Sequence, residues 1–134
     1  MPYVNRATYT FFEYHLGDTN IASNLTQQSV NLQANYTLVK EFTLGNKIKP
    51  GSKIRVSLET YETVDGGWFQ ITVNGVQKHE QATTGSWFTY TKDLIDVAWN
   101  PGDKIGIWIK NPNGYLYIRN VYLRGLQSQW EVSL

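Results

Sequence analysis

The chain has 134 residues, 12 Lys and Arg against 11 Asp and Glu, two His and no Cys, for a formal charge of +1. That length fits one domain with a core of its own, and the missing cysteine excludes disulfides, a thiolate nucleophile and Cys-held zinc or iron–sulfur clusters. A charge so near zero supplies no field to gather nucleic acid or an anionic membrane, and the apolar runs are too short to span a bilayer.

Met1 to Arg6 has no apolar stretch of the kind that heads a secreted chain, and reads as an N-terminal arm. A strand follows near Ala7–Tyr14. The segment Asn20–Asn35 is rich in Asn, Gln, Ser and Thr, and reads as a long loop with a short strand, Ser29–Gln33, inside it. Tyr36–Leu44 is the next predicted strand, closed by turn signals at Gly45-Asn46 and Pro50-Gly51. Ile54, Val56 and Leu58 then alternate with Arg55, Ser57 and Glu59, which is the period of a strand with one wet face. After Asp65-Gly66-Gly67, Phe69, Ile71 and Val73 repeat that period. Asn74-Gly75 between Val73 and Val76 predicts a tight hairpin, because both central residues of a type I′ turn need positive φ.

Thr84-Gly85-Ser86 precedes a predicted strand at Trp87–Thr91, and Leu94–Trp99 has room for one helical turn. Asn100-Pro101-Gly102-Asp103 is a turn, followed by the alternation of Ile105, Ile107 and Ile109. It echoes Lys49-Pro50-Gly51-Ser52, two Pro-Gly turns each launching an amphipathic strand. Asn111-Pro112-Asn113-Gly114 is read as a further turn, then a strand at Tyr115–Arg124 and a short one at Gln129–Leu134. In Tyr115–Arg124 the period breaks: Leu116 and Ile118 share one parity, Val121 and Leu123 the other. A bulge near Arg119-Asn120 would reset the register, leaving Arg119 either inward beside a carboxylate or on the rim. Eight to ten short strands over residues 1–134 predict a single all-β domain, an antiparallel β-sandwich of jelly-roll type.

Catalytic chemistry finds little support. His15 and His79 are the only histidine bases, and neither stands in a nucleophile elbow. Asp18, Asp65, Asp96 and Asp103 are isolated, without metal-ligand spacing. Glu13, Glu41, Glu59, Glu62 and Glu80 offer no evident pair for glycoside hydrolysis. The expectation is a non-enzyme with no catalytic residue, metal or cofactor.

The aromatic content, 14%, is the informative feature. If Ile105, Ile107 and Ile109 face inward, Trp108 faces out; the same parity sends Trp68 and Tyr61 outward. One sheet face carrying Trp68, Trp108 and Tyr61 would expose flat apolar surface for sugar rings or protein neighbours. The plainer account is that the 20–35 loop covers these rings as a second small core. Tyr115, Tyr117 and Arg119 on the last long strand complete the candidate set.

Thr89-Tyr90-Thr91-Lys92-Asp93-Leu94, Trp99-Asn100-Pro101-Gly102-Asp103-Lys104-Ile105 and Tyr117-Ile118-Arg119-Asn120-Val121-Tyr122-Leu123-Arg124-Gly125 together resemble β-sandwich domains of virion surface and tail proteins of phages and archaeal viruses. The resemblance spans residues 48–125. It implies a coat, decoration or tail component in the virion, assembling with copies of itself and other virion proteins through faces, loops and termini. The same half, through Val73-Asn74-Gly75 and Thr84-Gly85-Ser86-Trp87, is also similar to galactose-binding-like carbohydrate-binding modules. That likeness implies an extracellular, non-catalytic module with a glycan partner and a ring platform of Trp68, Trp108 or Tyr61. Calcium-dependent xylan-binding modules place an aspartate just before the closing Tyr-Ile; here Leu116 precedes Tyr117-Ile118, so no calcium is expected. The virion role is the first expectation, glycan binding the second, and a glycan-active hydrolase or lyase the third.

Overall fold

The computed structural model describes residues 5–9, 19–45 and 53–125. Eight strands occupy them: β1 (Asn5–Tyr9), β2 (Thr19–Asn24), β3 (Gln28–Leu44), β4 (Ile54–Glu62), β5 (Trp68–Val73), β6 (Val76–Ala82), β7 (Phe88–Leu94) and β8 (Lys104–Gly125). The 22-residue β8 organises everything else. Its first half pairs with the C-terminal half of β3 and with β5, and β6 and β1 extend this layer at either edge. Its second half pairs with β2, the start of β3 and β4, and β7 forms the far edge of this second layer. All pairings are antiparallel except β1 on β3.

The two layers close on one core. Phe69 of β5 and Tyr90 of β7 belong to different layers, yet their ring centroids are 5.2 Å apart. Ile105, Ile107 and Ile109 from the first layer meet Ile54, Val56, Leu58, Leu116 and Ile118 from the second, all buried. The period-two reading of these strands therefore holds, and the molecule is the expected antiparallel β-sandwich.

The Asn74-Gly75 hairpin is present: Val73 pairs with Val76, and the turn residues have φ of 51° and 83°. Asn74 also accepts from the Lys104 amide and donates to Asp103, so the hairpin tip is tied to the turn that launches β8. The bulge is present as well. Between the Ser57–Tyr122 and Glu59–Arg119 pairs, β8 carries one residue more than β4, and Asn120 sits at a φ of 53°. This lets Leu116, Ile118, Val121 and Leu123 all face the core.

Three expectations are corrected. Asn111–Gly114 is not a reversal: the strand runs through it and passes from one layer to the other. Buried Asn111 donates to the Val64 and Tyr115 carbonyls and accepts from the Asn113 amide, so the side chain replaces the missing ladder partners. Leu94–Trp99 forms no helical turn; the segment brings Trp99 fully into the core. Asn20–Asn35 is not a loop: Asn20–Asn24 belongs to β2 and Gln28 onward to β3, both paired with β8. These strands lie in the layers, so they do not cover the outward rings. Among expected strands, Ala7–Tyr14 is seen only as far as Tyr9, in β1, and Gln129–Leu134 lies outside the described residues, as do most of the 1–6 arm, His15 and the 49–52 turn.

Candidate functional site

The expected ring face divides in two. Trp68 and Trp108 stand on the outer side of the first layer, whereas Tyr61 stands on the outer side of the second, because β5 and β4 belong to different layers.

The first-layer face is largely used up by its own contacts. The Trp108 indole N–H donates to Thr72 Oγ1 at 2.9 Å, and the ring lies against its own sheet. Gly106 makes room for it: a Cβ there would come within 2.9 Å of the indole nitrogen and 2.7 Å of Thr72 Oγ1. Tyr36 donates to Glu80 Oε2 at 2.6 Å, and Lys110 sits 4.4 Å from the Tyr36 ring centroid. Burial, the bond to Glu80 and the charge of Glu80 together push the Tyr36 hydroxyl well above its ordinary pKa. Trp68, opposite Lys110 and 37% exposed, is the ring this face leaves most open.

The second-layer face is different. Inward Leu58, Thr60 and Glu62 leave Glu59 and Tyr61 pointing out from β4. Inward Leu116 and Ile118 leave Tyr115, Tyr117 and Arg119 pointing out from β8. Tyr90 and Leu94 pack inward from β7, so Trp87, just before it, points out beside Thr89 and Thr91. The rings meet across the strands. Tyr61 lies 5.7 Å from Trp87 and 5.9 Å from Tyr117, and Tyr117 is stacked on Tyr115 at 5.5 Å and 10°. Four rings thus form one continuous row, ending at Tyr115, which is 41% exposed.

The row is braced from one side. Arg119 extends its guanidinium over the Trp87 ring, 3.6 Å from the centroid, and its Nε donates to Glu59 Oε1 at 2.9 Å. Asn120, turned by the bulge, donates to Glu59 Oε2 at 3.1 Å. These bonds from Asn120 and Arg119 hold the Glu59 carboxyl below the usual carboxylate range. Of the two sequence alternatives for Arg119, the structure has it outward and half-buried, but with the carboxylate partner.

At the other end the crossover is clasped to the 63–66 loop. The Tyr115 amide donates to Thr63 Oγ1 at 3.0 Å, the Thr63 amide to the Tyr115 carbonyl at 3.1 Å, and Asn113 Nδ2 to the Asp65 carbonyl at 2.8 Å. The rings are therefore held on paired backbone. Chemically, the row offers flat apolar surface flanked by a fixed guanidinium and carboxylate, which suits stacking and hydrogen bonding. Among the described residues, no group of three or more His, Asp or Glu could hold a metal ion.

The structure thus brings Tyr61, Tyr115, Tyr117 and Arg119 together and leaves Trp68 and Trp108 apart. Trp87 is the member that the candidate set omits. The alternation of Trp87, Thr89 and Thr91 with Phe88 and Tyr90 carried the signal.

No family model matches the chain, and no curated protein matches it. Solved structures do. The insecticidal delta-endotoxin Cry8Ea1 of Bacillus thuringiensis superposes with a TM-score of 0.52 at 14% identity, over 75% of this chain and 19% of the toxin. This chain therefore spans about a fifth of that protein, and the likeness is one of fold. The C-terminal CBM6 of LamC, a laminarinase of Zobellia galactanivorans, gives 0.47 at 15% identity, over 80% of this chain and 92% of that one. The carbohydrate-binding module CBM36, solved with calcium and xylotriose, gives 0.49 at 11% identity, over 79% and 91%. None of these lends support to the virion role that the sequence pattern led us to expect.

Proposed function

We propose that this chain is a non-catalytic carbohydrate-binding domain that lays its glycan along the outer face of the second layer. The observation that carries the proposal is the continuous row Trp87, Tyr61, Tyr117 and Tyr115, set on β4, β8 and the residue that leads into β7, and braced by Arg119. The apolar faces of pyranose rings stack on such flat surfaces, and the Glu59–Arg119–Asn120 cluster supplies directional partners for hydroxyls beside them. Several structures of similar architecture are themselves named as carbohydrate-binding modules.

The test is titration of the purified chain with soluble polysaccharides, followed by tryptophan fluorescence and by retardation in gels containing each polymer. A saturable response that Tyr61→Ala or Trp87→Ala abolishes supports the proposal. A response that instead follows protein concentration alone, with no glycan effect, transfers the face to contact between copies of the chain.

A further inference from the structure

The second-layer face grades from rings to cations. Six residues along β4 from Tyr61, a distance of about 20 Å at strand rise, the same face ends in a row of Asp93, Arg55 and Arg124, cross-strand neighbours on β7, β4 and β8. Between the two ends stand exposed Thr89 and Thr91 and half-buried Tyr122.

Among the described residues the end row holds one carboxylate, Asp93, and two arginines. Arg55 donates to both oxygens of Asp93, at 2.7 and 3.2 Å. Arg124 is the direct cross-strand partner of Arg55 and rests its guanidinium 4.3 Å from the Tyr122 ring centroid. No carboxylate among the described residues pairs with Arg124. Lys53 and Lys92 lie near enough to act on the charge of Asp93. Arg55 is engaged and Lys92 shares the inward side of β7 with Tyr90 and Leu94, so Arg124 is the cation of the outer row that no carboxylate among the described residues neutralises. Like charges directly opposite on neighbouring strands destabilise a sheet. An arginine placed there, on an aromatic face and with no carboxylate among the described residues on its N–H edges, has the geometry for a planar oxyanion.

We infer that the glycan bound on this face is anionic, with a carboxylate or sulfate group seated on Arg124 beside Arg55. The inference rests on the glycan-binding reading and adds the class of sugar. The ring row would take the pyranose faces and the arginine row the acid group of the same chain.

The experiment compares polygalacturonate and alginate, which carry carboxylates, with chondroitin sulfate, and with neutral xylan and laminarin. Binding to the intact chain is measured at low and high salt. The expected result is tighter binding of at least one acidic polymer than of both neutral ones, weakened by salt and by about tenfold in Arg124→Gln, with partial recovery in Arg124→Lys. The polymer that responds to Arg124 identifies the acid group. If Arg124→Gln does not fold, competition by free glucuronate or sulfate on the unaltered chain reads the same site. Neutral glycans bound as tightly as acidic ones, or acidic binding indifferent to Arg124 and to competing anions, overturns the inference and leaves glycan binding standing. No glycan bound at all overturns both. A single-stranded oligonucleotide bound in preference, with the same dependence on Arg124, overturns the glycan assignment in favour of nucleic acid.

Discussion

Arg119 lies with its guanidinium 3.6 Å from the centroid of the Trp87 ring, two strands away across the second layer. Its Nε is committed to Glu59, so the flat of the guanidinium and one edge are both engaged. Such a side chain acts as a brace that fixes a surface indole. Exposed cation–π contacts contribute about 0.5–1 kcal/mol, and exposed ion pairs about as little. Arg119→Ala should therefore lower stability by no more than about 1–2 kcal/mol in urea unfolding. It should also free Trp87 and weaken glycan binding by more than that stability change suggests. An unchanged glycan affinity would show that the brace has no part in binding.

The two tryptophans 99 and 108 should respond very differently to truncation. Trp99 is fully buried, and Trp99→Ala should cost about 3–5 kcal/mol. Trp108 is half-buried, with its N–H on Thr72. Trp108→Ala should cost about 1–2 kcal/mol, the loss of one hydrogen bond and partial burial, and leave glycan binding intact. Comparable unfolding midpoints for the two variants would mean that the inward and outward assignment of the β8 residues is wrong.

The local rules carried the sequence reading a long way. The period of two placed Ile54, Val56, Leu58, Phe69, Ile71, Val73, Ile105, Ile107 and Ile109 in the core, and the parity change at Arg119-Asn120 revealed the bulge. What failed was the reading of polar residues by composition. Asn111, Asn113 and Gly114 look like a turn, yet Asn111 is buried and its amide supplies bonds that a layer-crossing strand lacks. Asn20–Asn35 looks like a loop because its partners on β8 are about a hundred residues away, and no local pattern records them. The candidate site was half legible for the same reason. Parity gives the side of a strand but not the layer to which the strand belongs, so parity alone groups Tyr61 with Trp68 and Trp108.

Asp93 and Glu59 should make the second layer resistant to mild acid. Hydrogen bonds from Arg55 hold the Asp93 carboxyl low, and bonds from Asn120 and Arg119 do the same for Glu59. A carboxyl depressed in the folded state contributes stability that is full above its unfolded value and lost as pH falls through its folded one. Stability should therefore hold down to the ordinary carboxylate range and fall below it. In Glu59→Gln and Asp93→Asn the acid limb should be shallower. An acid limb of unchanged slope in both variants would place the titrating groups elsewhere.

Lys40 should add a second rise of stability with pH, at alkaline pH. It points inward from β3 with Phe42 and Leu44, fully buried, and its ammonium donates to Asn24 Oδ1 at 2.8 Å and the Thr26 carbonyl at 2.7 Å. Burial pushes its pKa down from 10.5 to about 8. Below about 8 both folded and unfolded chains carry this proton, and folding bears the full cost of burying the charge. Between about 8 and 10.5 the unfolded chain holds the proton and the folded chain has released it, so stability rises with pH. The gain should be on the order of 1–3 kcal/mol. Tyr36 works the other way: its raised pKa contributes stability that is complete below the unfolded value of 10.0 and is lost at higher pH. The rise should thus be visible from pH 8 to 10 and then be opposed. Lys40→Met removes the buried charge and should flatten the profile across that window, even if losing the bonds to Asn24 and Thr26 lowers stability at pH 7. An equal alkaline rise in Lys40→Met would assign it to another group.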